Sequence, residues 1–435
     1  MTASTRANLA VVIVGGGWAG CAAAVSAARA LRGRGRAVVL ERTDMLLGLG
    51  LAGGIFRNNG RYTAAEECLA LGGGGRLIGV MDGAARHTGI EFPGHRHASL
   101  YDTNAIEPDT RAFLAAEGVE VRLMARVTGA GRAGRRVTRV EAGGEAIMAQ
   151  AFVDATGSAG PPGNCLHYGN GCAMCVLRCP SFGPRLGLAE LAGHDELVAT
   201  RADGTPGSFS GSCDLRKDSL DPWLREQLER TGVAQVPIPE DLRQPGKLDA
   251  KACQQYNLPE FGSSLVLLDS GTAKMMSPYF PLEGLRRLPG LSRARYDDPA
   301  AGGIGNSVRF MAIARHDRCL RVTGLANVFC AGEKCGPQVG HTEAIVTGMI
   351  AGHNAARSAL GLEPVALPSD LAVGDFVGVL TSIVRKGRLA TRLTFAGAAF
   401  FERMRMRKAY TTDGQAIRDR IAGLGLDGIF DQPLS

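Results

Sequence analysis

The sequence predicts an α/β fold: a Rossmann-like domain, three-layered with a parallel sheet and a β-hairpin insertion, interrupted by an inserted α+β cap. Three observations carry this expectation. A buried strand, a glycine-rich turn, an alanine-rich helix and a second buried strand follow one another within the first 41 residues. A strand, a Gly-Glu pair and a helix recur near residue 330. Between them lies a stretch rich in Pro and Gly, with "PPGNC", "DGTPGSFSGSC" and "PIPEDLRQPGK", that suits a cap.

Composition sets the bounds. A chain of 435 residues that is 45% hydrophobic can bury a large core, and about 150 residues per domain implies two or three domains. Its 60 glycines show no collagen period or low-complexity tract, so they serve turns and close backbone approaches. The run "LAVVIVGGG" leads into a helix and not into a cleavage site, so no signal peptide is expected. No apolar run reaches the ~18 to 20 residues of a membrane span, which gives a cytoplasmic address and no membrane partner. In that compartment the 11 cysteines read as thiols, ligands or redox groups.

The first element is "AVVIVGGGWAGCAAAVSAARALRGRGRAVVLER", a strand from Ala10 to Val14, a helix over about Ala19 to Leu31 and a second strand ending at Glu41. This is a β-α-β dinucleotide unit. Gly15 permits the tight turn, Gly17 lets a pyrophosphate approach the helix N-terminus at Trp18 and Ala19, and Gly20 lets helix and strand pack closely. Glu41 stands where a carboxylate can accept both hydroxyls of an adenosine ribose, with Arg42 beside it.

A second glycine fingerprint, "GAGRAG" at Gly129 to Gly134, is followed by alternating residues and no helix. It has no helix N-terminus for a phosphate, so it reads as a hairpin loop, and no second nicotinamide domain is expected. Before it come the helix "IEPDTRAFLAAE" and a strand from Gly118 to Val127; after it, "AFVDATGSAG" ends on Asp154, Ala155, Thr156 and Gly157. Near the far end, "LANVFCAGEKCGPQVGHTEAIVTGMIAGHNAAR" supplies a strand from Asn327 to Ala331, then Gly332 and Glu333, then a helix from about His341.

This order resembles the two-dinucleotide-binding-domain flavoproteins of the glutathione reductase type. The resemblance implies FAD, with Val127, Ala155, Thr156 and Gly157 beside it, Gly332 and Glu333 at its ribityl or pyrophosphate portion, and a helix N-terminus at His341, Thr342 and Glu343 aimed at the flavin ring. Such a terminus stabilises negative charge on a reduced flavin. The stretch Gly340 to Leu380 is similar to the glucose-inhibited division protein A group, especially its folate- and FAD-dependent uridine methyltransferases. The functional cysteine motif of that group is not found here; "GLAGGIFRNNGRYTAAEECLALGGGG" stands in its place, with Cys68 as its one thiol.

The expected domains are residues 1–160 and 321–370 for FAD, 161–320 for the cap, and 371–435 as a basic helical region. Residues 48–61 should pass near the flavin, with Gly54 in close contact and Asn58, Asn59 and Arg61 read as solvated loop residues or substrate contacts. A loop carries His87, His95 and His97, the last two spaced to suit a metal or an acid–base role. Between Leu371 and Tyr410, eight Arg and Lys stand against Asp375 and Glu402, an excess of six out of a net charge of +7. This cluster could hold RNA phosphates, but "AGAAFFERMRMRKAY" also reads as an amphipathic helix packing Phe400, Phe401, Met404 and Tyr410. RNA is therefore placed below a small-molecule substrate or a redox protein as partner, and a homo-oligomer is compatible.

"GNGCAMCVLRCP" adds Cys172, Cys175 and Cys179 to Cys165. Four such thiolates can ligate an iron–sulfur cluster or zinc. Alternatively, Cys172 and Cys175 form a redox dithiol that exchanges electrons with FAD, or the thiols are structural. The expected function is an FAD-dependent oxidoreductase passing electrons or hydride through the flavin. Its alternatives are a folate- and FAD-dependent tRNA or rRNA uridine methyltransferase-like enzyme and a non-catalytic electron-transfer subunit.

Overall fold

The computed structural model describes residues 9–157, 182–200, 204, 208–209, 213–244, 246, 248, 254–276, 280–297, 308–309, 311–390 and 392–435. A five-stranded parallel sheet runs through its centre in the order β19-β10-β1-β2-β6. Strand β1 (Leu9–Val14) pairs with β2 (Gly35–Leu40) on one side and β10 (Ala151–Asp154) on the other. The late strand β19 (Val328–Cys330) joins β10, and β6 (Glu120–Arg122) joins β2. Two segments some 170 residues apart in sequence thus form one sheet. Every residue of β1, β10 and β19 is buried, as a parallel sheet covered on both faces requires.

Helices α1 (Trp18–Ala30) and α5 (His341–Ala359) pack against each other and against the sheet. The antiparallel meander β7 (Val127–Ala133), β8 (Arg136–Ala142) and β9 (Glu145–Met148) shares their core through Val127, Val137, Val140 and Ile147. "GAGRAG" is therefore part of a hairpin, as expected, but most of it is strand β7, and only its last glycine lies in the turn. Around the body lie α2 (Gly60–Leu71), α3 (Ile106–Ala116) and the C-terminal helices α6 (Ala372–Arg385), α7 (Ala398–Met406) and α8 (Gly414–Gly423). Phe376, Phe400, Ile417 and Phe430 of the C-terminal region enter the same core as the sheet.

The inserted region has its own core around an antiparallel sheet ordered β13-β16-β15-β14, with α4 (Pro222–Thr231) upon it. Its strands are β13 (Cys213–Leu215), β14 (Val233–Pro237), β15 (Ser264–Asp269) and β16 (Ala273–Met275). The histidine segment is not a loop. It folds as the hairpin β4 (Ala85–Phe92) and β5 (His95–Tyr101), with β3 (Ile55–Phe56) against β5. Among the described residues, no helix is long and apolar enough to cross a membrane.

The α1–α5 crossing depends on glycine. A Cβ on Gly348 would stand 2.2 Å from the carbonyl oxygen of Ala19, and one on Gly352 would stand 2.0 Å from that of Ala23. Both obstacles are backbone, so the helices would have to part. Gly352→Ala should destabilise the protein by about 1–3 kcal/mol. Gly423→Ala, in α8 with nothing within 4 Å of the added Cβ, should leave stability unchanged or raise it by up to ~1 kcal/mol. Urea denaturation of both variants beside the parent chain measures the contrast.

Candidate functional site

A cleft of about 1640 Å³, including its solvent-open mouth, lies over the carboxyl ends of β1, β2 and β10. This is where open α/β sheets bind ligands. Its floor is the first glycine turn. Gly15 has φ +102, and a Cβ there would stand 2.4 Å from the carbonyl oxygen of Ala155; one on Gly20 would stand 1.8 Å from that of Gly15. Gly17 differs, since its missing Cβ would meet only the carbonyl oxygen of Leu47 at 3.9 Å. It leaves the helix N-terminus open to the cleft. Neither α1 nor α5 has a side-chain cap, so both present backbone N–H groups at their first turns.

Glu41 ends β2 with its carboxylate fixed. One oxygen accepts from the Gly16 N–H at 2.7 Å, the other from the Thr43 N–H at 2.9 Å and its hydroxyl at 3.0 Å. The cleft brings together Gly15, Gly17, Trp18, Ala19, Glu41 and Arg42 from the first unit. It adds Val127, Ala155, Thr156 and Gly157 from the middle, and Gly332, Glu333 and His341 from the late segment. Gly20 does not line it; it serves helix packing, its expected role. Gly54 is set back, where a Cβ would stand 2.2 Å from the carbonyl oxygen of Tyr101.

Thr342 and Glu343 also lie off the cleft, fully buried. Glu343 receives Nε of Arg61 at 3.0 Å, the Thr394 hydroxyl at 2.7 Å and the Phe395 N–H at 2.9 Å, so it is a structural counterion. Arg61, 3% exposed, donates further to Asn58, Val339 and Thr394. Asn58 and Asn59 are likewise buried. The solvated-loop expectation for these three residues fails because they tie α2 to α5 and to the C-terminal region.

His95 and His97 do not form a pair. His95 is buried, accepts from the Asn58 amide at 3.0 Å through Nδ1 and donates through Nε2 to the Gln255 carbonyl at 3.2 Å. His97 packs edge-on to Tyr62, and His87 contacts Asp269 at 3.0 Å. No group of three or more His, Cys, Asp or Glu able to hold a metal occurs among the described residues. Cys165, Cys172, Cys175 and Cys179 lie outside those residues. Cys21, Cys68 and Cys335 are buried, and burial pushes their thiols up. None of them lines the cleft. In the basic tail, Arg403 pairs with Asp375 at 2.7 Å and Arg405 with Glu402 at 3.3 Å. Arg385, Lys386 and Arg388 are exposed.

Sequence reading missed three cleft groups and one residue behind them. Lys274 of β16, 7% exposed, donates to the Ala52 carbonyl at 2.8 Å. Gln255 and Gln338 each bury a side-chain oxygen that has no hydrogen-bond partner, and both residues line the cleft. Tyr101 stands behind His341. The signal available was a lysine inside the apolar strand "TAKMM", since lysine is almost never buried without a reason.

Residues 10–160 match the family of FAD dependent oxidoreductases, and residues 263–363 match the glucose inhibited division protein A family. The chain resembles the GidA/TrmFO group of FAD-dependent oxidoreductases. It is 29% identical over 424 residues to the tRNA uridine 5-carboxymethylaminomethyl modification enzyme MnmG of Thermus thermophilus, covering 85% of this chain and 67% of that protein. It is 37% identical over 100 residues to the methylenetetrahydrofolate–tRNA-(uracil-5-)-methyltransferase TrmFO of Symbiobacterium thermophilum, covering 22% of this chain. That match spans about a fifth (21%) of TrmFO's own length. In fold, the chain is similar to GidA of Aquifex aeolicus, with a TM-score of 0.64 at 17% identity over 96% of this chain and 73% of GidA.

Burial lowers His95 from 6.5 to about 3, with the Arg61 charge adding to the effect. The folded GidA/TrmFO-like chain thus refuses a proton that the unfolded chain binds below pH ~6.5. This contribution is present above 6.5 and is lost as pH falls toward 3. His95→Gln should remove this share of the change in unfolding free energy between pH 7 and pH 5. It leaves those of His353 and His316, which burial also lowers, and the opposing shares of Glu67 and Glu196, which burial raises to about 7. Urea titrations at the two pH values read the difference.

Proposed function

We propose that this chain is a flavin-dependent enzyme that modifies a uridine in tRNA. The observation that carries the reading is the match to MnmG over 85% of the chain. RNA, placed behind small molecules on sequence grounds, thereby moves ahead of them, and the general oxidoreductase reading narrows to RNA modification.

The cleft fits FAD. Gly17 leaves room at an uncapped helix N-terminus for a pyrophosphate, Glu41 suits the ribose, and the Gln338 oxygen is a buried acceptor next to Gly332, suited to a ribityl hydroxyl. Glu333, Thr156 and Gly157 would line the chain between the two ends of the cofactor. Bound FAD would supply two-electron or one-electron redox chemistry. The N-terminus of α5 would favour negative charge beside His341, and Lys274 adds a cation from the inserted region. Gln255 offers an acceptor to an N–H of the substrate. With no described thiol in the cleft, Cys172 and Cys175 are the thiols proposed for a nucleophilic or redox step.

Two measurements test this reading. Purified protein should retain FAD, and Glu41→Ala should weaken its retention about tenfold or more, the loss of one or two charge-assisted hydrogen bonds. FAD-loaded protein, unmodified tRNA transcripts, methylenetetrahydrofolate and a reduced nicotinamide should yield a modified uridine detected by nucleoside mass spectrometry. Bound, reducible FAD with no modified nucleoside in any tRNA or rRNA fragment would overturn the RNA reading.

A further inference from the structure

We infer that Gln255 is a specificity-determining residue whose side-chain oxygen accepts the imide N–H of a pyrimidine-2,4-dione ring in the cleft; that such a ring enters there rests on the flavin and uridine reading above. Gln255 belongs to a short helical turn (Gln254–Tyr256), is 5% exposed and lines the cleft. Its Oε1 is buried and has no hydrogen-bond partner among the described residues. A buried acceptor without a donor is destabilising, and a donor on the cleft's occupant relieves that cost. Gln338 carries the other such oxygen of the cleft, but its Nε2 donates to the Gly332 carbonyl and to the Thr347 hydroxyl, so its Oε1 belongs to the Gly332 turn.

A chain of buried hydrogen bonds places Gln255 where α5 begins. Its carbonyl accepts from His95 at 3.2 Å, His95 accepts from Asn58 at 3.0 Å, Asn58 accepts from Arg61 at 3.0 Å, and Arg61 donates to Glu343 in the first turn of α5 at 3.0 Å. The C-terminal region backs the residue, since a Cβ on Gly397 would stand 2.5 Å from the Cβ of Gln255. The chemistry of the donor then follows by elimination. An oxidised isoalloxazine and the base of a uracil nucleoside each carry one ring donor, the imide N–H, and otherwise present carbonyls and ring nitrogens that accept. Whichever of these rings meets Gln255, only that N–H can satisfy Oε1. Ile55, Met276 and Val339 line the cleft and give a flat ring apolar surface, and the charge of Lys274 in the cleft wall suits the imide carbonyls.

The test compares two ligand pairs on the full chain: FAD with 3-methyl-FAD by titration calorimetry, and UMP with 3-methyl-UMP by ligand-observed NMR. In each pair the methyl group replaces the imide proton. The wild type should bind the unmethylated member of one pair about tenfold or more tightly, the loss of one buried hydrogen bond. A preference within the FAD pair assigns the flavin ring to Gln255, and one within the UMP pair assigns the base. Gln255→Ala, which removes the acceptor and leaves room for the methyl group, should abolish the preference. Gln255→Glu, which retains an acceptor oxygen, should keep it. A purely structural role would weaken both members of a pair alike and leave their ratio unchanged. No preference in the wild type for either pair would overturn the inference even if the variants failed to fold, and so would a preference that survives Gln255→Ala. Failure to bind FAD at all would count against the flavin reading alone, because the UMP pair is measured without it.

Discussion

The close crossing of α1 and α5 is the contact on which the cleft depends. Gly348 and Gly352 lie one turn apart on α5 and face the carbonyls of Ala19 and Ala23, also one turn apart on α1. Small residues in register let the two backbones touch. Because each helix begins at the cleft, the crossing delivers two uncapped N-termini to one place. The sheet performs the matching task below, joining β1 and β10 to β19 so that the Gly15 and Gly332 turns lie side by side. A Cβ on Gly332 would stand 2.9 Å from the Ala19 side chain, so this approach too needs a glycine.

A buried ion pair holds α5 in its azimuth. Desolvating Arg61 and Glu343 is costly, and only full hydrogen bonding on both sides offsets it. That condition is met: the guanidinium has Glu343, Asn58, Val339 and Thr394, and the carboxylate has Arg61, Thr394 and Phe395. Removing one partner would leave an uncompensated charge, at ~3–5 kcal/mol. The pair links α2, the first turn of α5 and residues 394–395. This explains why Glu343 turns away from the cleft although it sits in the helix's first turn. The acid's negative charge would oppose the role of that terminus.

The end of the cleft built by the first glycine turn was legible in the sequence because its signals are local. A glycine turn between a buried strand and a helix has one spacing, and Glu41 follows at the end of the next strand, so contiguous residues suffice. The other end was not legible for the opposite reason. Lys274 and Gln255 reach the cleft from β16 and a short helical turn, Tyr101 of β5 stands behind it, and no spacing in the sequence relates them. The hairpin β4–β5 was read as a loop because its Gly and Pro residues outweighed the alternation around them, and three register shifts blur that alternation further. Thr342 and Glu343 were expected at the cofactor by their place at a helix start. Helix periodicity decides otherwise, since adjacent residues point in directions about 100° apart and only His341 of the three lines the cleft.

His95 shows how a side chain's protonation follows from its neighbours alone. It meets an amide N–H at Nδ1 and a backbone carbonyl at Nε2, so the neutral Nε2–H ring satisfies both contacts and a further proton would face Asn58. Burial reinforces that refusal. The arrangement closes a network between β5, Asn58 and residues 254–256, so the hairpin is joined to the inserted region by a ring whose neutral form alone fits.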